Sequence, residues 1–275
     1  MMTWFEYLKE FWLLVPIVLI AAPALFVAGS QALAQSKTLD IFILVQGTVL
    51  GHLVALSVGA EGSWELLLCY AFAALALFAS HFVEKVANVY HSSLRIAFYA
   101  LLLVSVYVFE RWIPGLERHI NTAFVGDLLF LSGRNAALLV GVVTVYLVYS
   151  AATIDSHLKR FFSRRVLKVS QKTSHSWLVL NFLLLVSGTH FLGLSFVLGF
   201  AVIIPFVFCL GLADKSQKSF LKIGSFSSAA LAGGTMLLSF VYPDQSTSPF
   251  VVILSVLVLL FILTGRIYVK KFQSS

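Results

Sequence analysis

Apolar stretches of about 20 residues recur along almost the whole chain and are separated by short polar connections. A helix needs about 20 apolar residues to cross the hydrocarbon core of a bilayer. The pattern therefore predicts an all-α polytopic membrane protein with eight to nine transmembrane helices. The expected spans are 11–34, 39–60, 63–82, 93–113, 135–154, 174–190, 192–212, 219–241 and 248–268.

Composition supports this class, because 60% of the residues are hydrophobic, 11% are charged and the mean hydropathy is +0.96. No polar stretch is long enough for a separate catalytic domain, so we expect residues 1–275 to form a single transmembrane domain. The net charge of +7 lies in short loops rather than on one basic face, which predicts a lipid bilayer and no nucleic acid as the partner. Cys69 and Cys209 lie inside apolar runs and are predicted to be small core residues.

The distribution of cations predicts the orientation of the helices. The connection 157–172 carries six of the nineteen Lys and Arg residues, and clustered cations stay on the cytoplasmic side. Strict alternation then gives an outside N-terminus and an inside C-terminus, with residues 1–10 as an interfacial lead-in. Within this basic cytoplasmic loop, positive-inside sorting and docking of a partner protein both explain the charge. The docking candidates are Arg160, Phe161, Arg164 and Arg165.

Prolines interrupt two of the predicted spans. Pro16 and Pro23 lie in the first, and Pro205 lies in the seventh. A proline removes a backbone hydrogen bond and kinks a helix. Such kinks either shape the bundle or mark helices that line a pathway.

Three segments in the C-terminal half form a recognisable series. They are Gly126-Asp127-Leu128-Leu129, the glycine-containing apolar run from Leu192 to Pro205, and Ser239 to Asp244 followed by Ser248 to Ile253. In this order they resemble elements of the permease subunits of zinc- and manganese-type ABC importers.

The resemblance implies a membrane-spanning permease subunit of an ATP-driven importer for divalent metal ions, zinc or manganese. It implies a homodimer in a bacterial plasma (inner) membrane, with alternating access at the dimer interface. The partners would be an ABC ATPase subunit and an extracytoplasmic metal-binding protein. The chain has no glycine-rich phosphate loop that ends in Lys-Ser or Lys-Thr. We therefore expect no enzymatic activity and no cofactor in this chain, with ATP bound by the partner subunit.

The N-terminal half departs from the pattern of that family. The family element pairs an acid with a histidine four residues later, whereas this chain has Asp40 followed by Leu44. His52 lies about 120° around the helix from Asp40, so it replaces the missing ligand only if the helix breaks at Gly47 or Gly51. The identity of the metal, and whether a metal is carried at all, stays open. The alternative function is a divergent permease-like protein that moves a non-metal solute or acts as a partner in a membrane complex.

Ionisable groups within the spans are the candidate metal ligands, because a charge in the membrane is costly and is often retained for a pathway. The candidates are Asp40, His52 and His190. Each also has a structural interpretation: Asp40 as a solvated residue near the cytoplasmic end, His52 as a packing histidine and His190 as an interfacial side chain. His81 and Glu84, one helical turn apart, form a further polar cluster whose simplest interpretation is juxtamembrane.

Overall fold

The computed structural model of the protein describes residues 14–86, 91–112, 133–165, 175–211 and 216–241, together with residues 250, 251, 253–258, 260, 261 and 264. Every secondary-structure element within these ranges is a helix, so the expectation of an all-α protein is confirmed. The helices are α1 (Leu14–Ala34), α2 (Thr38–Ser57), α3 (Ser63–Val86), α4 (His91–Trp112), α5 (Gly133–Arg165), α6 (His175–Leu192), α7 (Leu194–Leu198), α8 (Ile204–Gly211) and α9 (Gln217–Val241).

Six of these helices are long and apolar enough to cross a membrane: α1, α2, α3, α5, α6 and α9. Two shorter apolar helical segments, 93–109 and 194–210, supplement them, and a further helical stretch contains Phe250 and Val251. The chain is therefore a multi-pass membrane protein, and helical residues lie within each of the nine predicted spans. The predicted lead-in at 1–10 and the element at Gly126-Asp127 lie outside the described residues.

The helices form an inner and an outer group. Most of α1, α2 and α6 is buried, whereas most residues of α3 and α5 are exposed or half-buried. Phe78 and Phe82, for example, are exposed on α3. Because lipid is as apolar as these side chains, exposed phenylalanines in a membrane helix are expected to face the bilayer. The inner helices therefore carry the contacts that position polar groups.

The segment after α6 departs twice from regular α-helix. Gly193, at φ 87°, separates α6 from α7, in a backbone conformation that favours glycine. A π-helical turn then occupies Gly199–Ile203, just ahead of Pro205. Proline explains this irregular turn, because its missing N–H cannot close a regular α turn. Gly29 of α1 packs against the backbone of Ala201, where an added Cβ would overlap the carbonyl group.

Helices α2 and α3 form a tight hairpin. Gly59 and Gly62 adopt positive φ angles of 67° and 62° in the short connection. Within the hairpin, a Cβ on Gly47 would lie 2.8 Å from the Ala76 side chain, and a Cβ on Gly51 would lie 2.7 Å from the Leu68 carbonyl oxygen. Glycine at these positions therefore allows the two backbones to approach closely. Helix α2 is continuous through both glycines, so the break considered above does not occur.

Helix α5 is longer than its predicted span. Its 33 residues extend through Arg165, although the apolar part that suits a membrane ends at Ser156. The expectation of a loop beginning at residue 157 is therefore wrong for its first part, because the helix continues past the apolar segment. The remainder of that connection, 166–172, lies outside the described residues.

Candidate metal-binding site

Two histidines, a cysteine and a glutamate meet at the end of the bundle that carries the α2–α3 connection. Nδ1 of His52 lies 2.7 Å from Oε1 of Glu65, and Nδ1 of His190 lies 3.9 Å from the same oxygen. Sγ of Cys69 lies 3.6 Å from Nδ1 of His190. One potential ligand atom from each of His52, Cys69 and His190 falls within 4.8 Å of the others. We call these four residues the four-residue cluster.

The α2–α3 hairpin supplies three members of the cluster. Glu65 and Cys69 are four residues apart in the first part of α3, so their side chains lie on one face. His52 follows Gly51, whose missing side chain lets α2 approach the backbone of Leu68 and Cys69. A Cβ on Gly51 would lie 2.8 Å from the Cα of Cys69. The close approach of the two helices therefore brings the imidazole of His52 next to the acid and the thiol.

Helix α6 supplies the fourth member. His190 lies in its last turn, and its ring packs edge-on against the ring of His52 with centroids 5.7 Å apart. One turn earlier, the hydroxyl groups of Ser187 and Tyr70 form a 2.5 Å hydrogen bond that joins α6 to α3. This hydrogen bond fixes the position of His190 relative to Cys69, which directly precedes Tyr70.

A partly open cavity of about 300 Å³ leads to the cluster. Glu65 and His190 line it together with Tyr70, Arg134 and Asn135. Cys69 is fully buried and, like His52, does not line the cavity. An ion that enters this cavity would therefore meet the carboxylate and one imidazole first, and the thiol and the second imidazole further in.

The donor atoms suit a cation that is only partly hydrated. The side chains of His52, Glu65 and His190 are 19%, 20% and 9% exposed. Nδ1 of His52 is buried, and its partner in this structure is Oε1 of Glu65 at 2.7 Å. Imidazole nitrogen, thiolate sulfur and carboxylate oxygen are all ligands of transition metals.

The structure brings together two of the three metal candidates that the sequence indicates. His52 and His190 join the cluster, whereas Asp40 lies about 18 Å along α2 from His52, at 1.5 Å per residue. Asp40 instead accepts a hydrogen bond from the guanidinium group of Arg95. The same guanidinium donates a 3.1 Å hydrogen bond to Ser80 and lies 3.7 Å from Glu84. Asp40 therefore joins α2 to α4 in an ion-paired cluster at the other end of α2.

Two other predicted groups have simpler surroundings. Nδ1 of His81 makes a 3.0 Å hydrogen bond with the carbonyl oxygen of Leu77 in its own helix, which fits the juxtamembrane interpretation. The docking candidates Arg160, Phe161, Arg164 and Arg165 all lie on the last part of α5, and their role in docking stays a prediction.

Sequence reasoning missed Glu65 and Cys69 as members of the site. Cys69 was assigned to the core, and it is indeed buried, but its sulfur faces His190. The signal that was available is the four-residue spacing of an acid and a thiol near the start of the third span. That start lies across a short hairpin from the end of the second span, which contains His52.

Comparison with known proteins gives a likeness in fold. No family model matches the chain, and no curated protein matches it. Among solved structures, the chain is similar to PsaBC from Streptococcus pneumoniae in complex with Fab, at 12% sequence identity and a TM-score of 0.72. The alignment covers 94% of this chain and 91% of that chain. At this low identity the likeness concerns the fold alone, and it extends over nearly the whole length of this multi-pass helical membrane protein.

Proposed function

We propose that the chain is the membrane-spanning permease subunit of an ATP-driven importer, and that its cargo is a divalent metal ion. The four-residue cluster is the observation that carries this proposal. Two imidazoles, a thiol and a carboxylate from three different helices converge at the end of a cavity, and ionisable groups within a membrane protein commonly mark an ion pathway.

The fold likeness to the PsaBC chain supports the permease assignment, because it extends over 94% of this chain. The site that is proposed here differs from that of the resembling family in its residues. Leu44 cannot bind a metal, but His52 and His190 provide the imidazoles, and Glu65 provides the acid. The missing histidine therefore no longer favours a non-metal solute over a metal ion.

Transport in this proposal follows alternating access. The predicted orientation puts the cavity on the extracytoplasmic side, where a metal-binding protein would deliver the ion. Two copies of the chain would assemble with ATPase subunits on the cytoplasmic side, where the predicted docking residues Arg160, Phe161, Arg164 and Arg165 lie in the last part of α5. Nucleotide-driven closure of the ATPases would then open the pathway toward the cytoplasm. The ion leaves the cluster when the contacts between α2, α3 and α6 separate.

Uptake by proteoliposomes tests the proposal. The chain would be purified together with its ATPase subunit and reconstituted, and zinc or manganese uptake would be followed with an indicator trapped inside. We expect uptake that requires ATP and is lost in the double variant His52→Ala/His190→Ala. His175→Ala is the matched control, since this histidine is exposed at the start of α6, and it should leave uptake intact.

Two results would contradict the proposal. Equal uptake by the chain alone, without ATPase or ATP, would exclude an ATP-driven importer. Unchanged metal uptake by the double variant, which retains its helical content and its association with the ATPase, would exclude the four-residue cluster from the pathway.

A further inference from the structure

We infer that Cys69 is a metal ligand in this site and that its sulfur selects a thiophilic divalent cation, zinc, over manganese. The inference rests on the proposed function in one respect only, namely that the four-residue cluster binds the transported ion. It goes further by assigning a ligand and a preference between two metals that the resemblance leaves open.

The position of Cys69 supports its role as a ligand. The residue is fully buried and is a free cysteine, so its sulfur is not engaged in a disulfide. Its Sγ lies 3.6 Å from Nδ1 of His190, on the same helical face as Glu65. The backbone of α2 approaches the backbone of Cys69 at Gly51, so the helix that carries His52 lies directly against this residue.

The spacing of the donors fits a tetrahedral ion. Zinc binds nitrogen and sulfur at about 2.0 to 2.3 Å, so four tetrahedral ligand atoms lie about 3.3 to 3.8 Å apart. The sulfur and the His190 nitrogen are already 3.6 Å apart, and the three potential ligand atoms are within 4.8 Å of one another. Side-chain rotations would complete a sphere of two imidazoles, one thiolate and one carboxylate by drawing the most distant donors together by about 1 Å. They would also move Oε1 of Glu65, now 2.7 Å from Nδ1 of His52, away from that nitrogen by about 0.6 Å.

The same donors suit manganese poorly. Manganese(II) prefers oxygen ligands in octahedral geometry and stands at the weak end of the divalent series, whereas thiolate favours zinc. Within the four-residue cluster, Glu65 is the single oxygen donor. The two imidazoles and the carboxylate also distinguish the site from copper(I) sites, which favour soft sulfur ligands.

Binding involves proton release and no redox change. The thiol of Cys69 loses its proton to a water molecule that the hydrated ion brings into the cluster, and the sulfur forms a bond to the cation in place of that water, which leaves through the cavity with the proton. Glu65 lines the cavity and meets the hydrated ion first, whereas Cys69 lies behind it. The thiolate therefore acts at the step in which the ion gives up its hydration shell.

Cobalt(II) provides a direct test, because it takes zinc sites and a cobalt–thiolate bond gives a near-ultraviolet charge-transfer band. The full chain would be purified in detergent and titrated with cobalt(II) alone, and zinc and manganese would then compete for the site. We expect the natural chain to show the thiolate band with cobalt(II), and zinc to displace the cobalt(II). Manganese should compete at least about tenfold more weakly than zinc, which is about the effect of losing one metal interaction.

Three variants separate the possible outcomes. Cys69→Ser should abolish the band, and Cys69→Asp should lower the ratio of zinc to manganese affinity by about 10-fold or more, since it replaces sulfur with oxygen. Cys209→Ser is the control, because this second cysteine is exposed on α8, and it should retain the band.

Failure of this inference is distinguishable from failure of the proposed function. Cobalt(II) bound to the natural chain without a thiolate band, or a band that survives in Cys69→Ser, would overturn the inference even if metal uptake succeeds. The first of these measurements needs no variant, so misfolding of Cys69→Ser cannot hide the answer. A thiolate band together with no ATP-driven uptake would overturn the transport function and uphold the ligand assignment.

Discussion

His52 and Glu65 face each other across the α2–α3 interface, with Nδ1 of the imidazole 2.7 Å from Oε1 of the carboxylate. Glu65 also lies 3.9 Å from Nδ1 of His190, so one carboxylate is adjacent to both imidazoles. Glu65 is in the first turn of α3, where the helix dipole favours a negative charge. A single acid thus supplies the negative charge at the centre of the four-residue cluster.

Replacing this acid should weaken metal binding. Glu65→Gln retains the size of the side chain but removes its charge, so we expect zinc affinity to fall by about 10- to 100-fold. Isothermal titration calorimetry on the detergent-purified chain would measure the change. Glu61→Gln is the matched control, because Glu61 is exposed in the same α2–α3 connection. Equal losses in the two variants would contradict a specific role for Glu65.

Gly51 is predicted to be essential for the geometry of the site. In Gly51→Ala the new methyl group would lie 2.7 Å from the Leu68 carbonyl oxygen and 2.8 Å from the Cys69 Cα, and neither backbone atom can yield easily. We expect a loss of about 1 to 3 kcal/mol in stability, as in other overpacked interfaces, together with weaker zinc binding. Thermal unfolding in detergent and zinc titration would measure the two effects.

Gly141→Ala is the control for this substitution. Gly141 lies in the middle of α5, and an added Cβ there meets nothing within 4 Å. Alanine should therefore leave zinc binding unchanged and raise helix stability by at most about 1 kcal/mol. If Gly51→Ala behaves in the same way, close contact between α2 and α3 does not position the cluster.

The ion pair between Asp40 and Arg95 should matter for folding rather than for metal binding. Both side chains are mostly buried, at 15% and 12% exposure, so Arg95→Met leaves a buried carboxylate without its partner. We expect the free energy of unfolding to fall by about 3 to 5 kcal/mol in Arg95→Met. It should recover partly in the double variant Asp40→Asn/Arg95→Met. Folded single and double variants should retain the zinc affinity of the natural chain.

An exposed ion pair serves as the comparison for this prediction. Nζ of Lys218 lies 2.7 Å from Oδ1 of Asp155, and both side chains are more than half exposed, at 59% and 68%. Because water screens such a pair, Lys218→Met should lower the free energy of unfolding by less than about 1 kcal/mol. If Lys218→Met and Arg95→Met lowered the free energy of unfolding by similar amounts, water would reach both ion pairs equally, and the prediction for Arg95 would be contradicted.

Metal affinity should fall as the pH is lowered. Protons compete with the ion for the nitrogens of His52 and His190 and for the sulfur of Cys69. Because more of these ligand atoms carry a proton at lower pH, we expect zinc affinity to decrease as the pH falls. The same titration on His52→Ala/His190→Ala should give weaker and flatter pH dependence. A pH-independent affinity in the natural chain would exclude the imidazoles as ligands.

The membrane class and most helices could be predicted from the sequence because lipid imposes a simple rule. A stretch such as 63–82 must be apolar and about 20 residues long, and this property can be read directly from the residues. Helix ends were less predictable. The end of α5 at Arg165 was missed because a helix continues into water without any change in backbone hydrogen bonding, whereas hydrophobicity stops at Ser156.

The candidate site was only partly predictable, because its members come together through packing. His52 and His190 are distant in sequence, and their meeting depends on the close approach at Gly51 and on the hydrogen bond between Tyr70 and Ser187. Neither feature can be read from apolar periodicity. Asp40 was selected for its charge, but the arginine that neutralises it lies two helices further along the chain.

The π-helical turn at Gly199–Ile203 changes which surfaces meet on either side of it. Such a turn contains one residue more than an α turn, and one residue corresponds to about 100° of rotation around the axis. The apolar stripe of α7 is therefore not continued by that of α8 but is offset by roughly a quarter of a circle. One continuous hydrophobic segment can therefore pack one of its faces against neighbouring helices near Leu194 and a different face near Phe208.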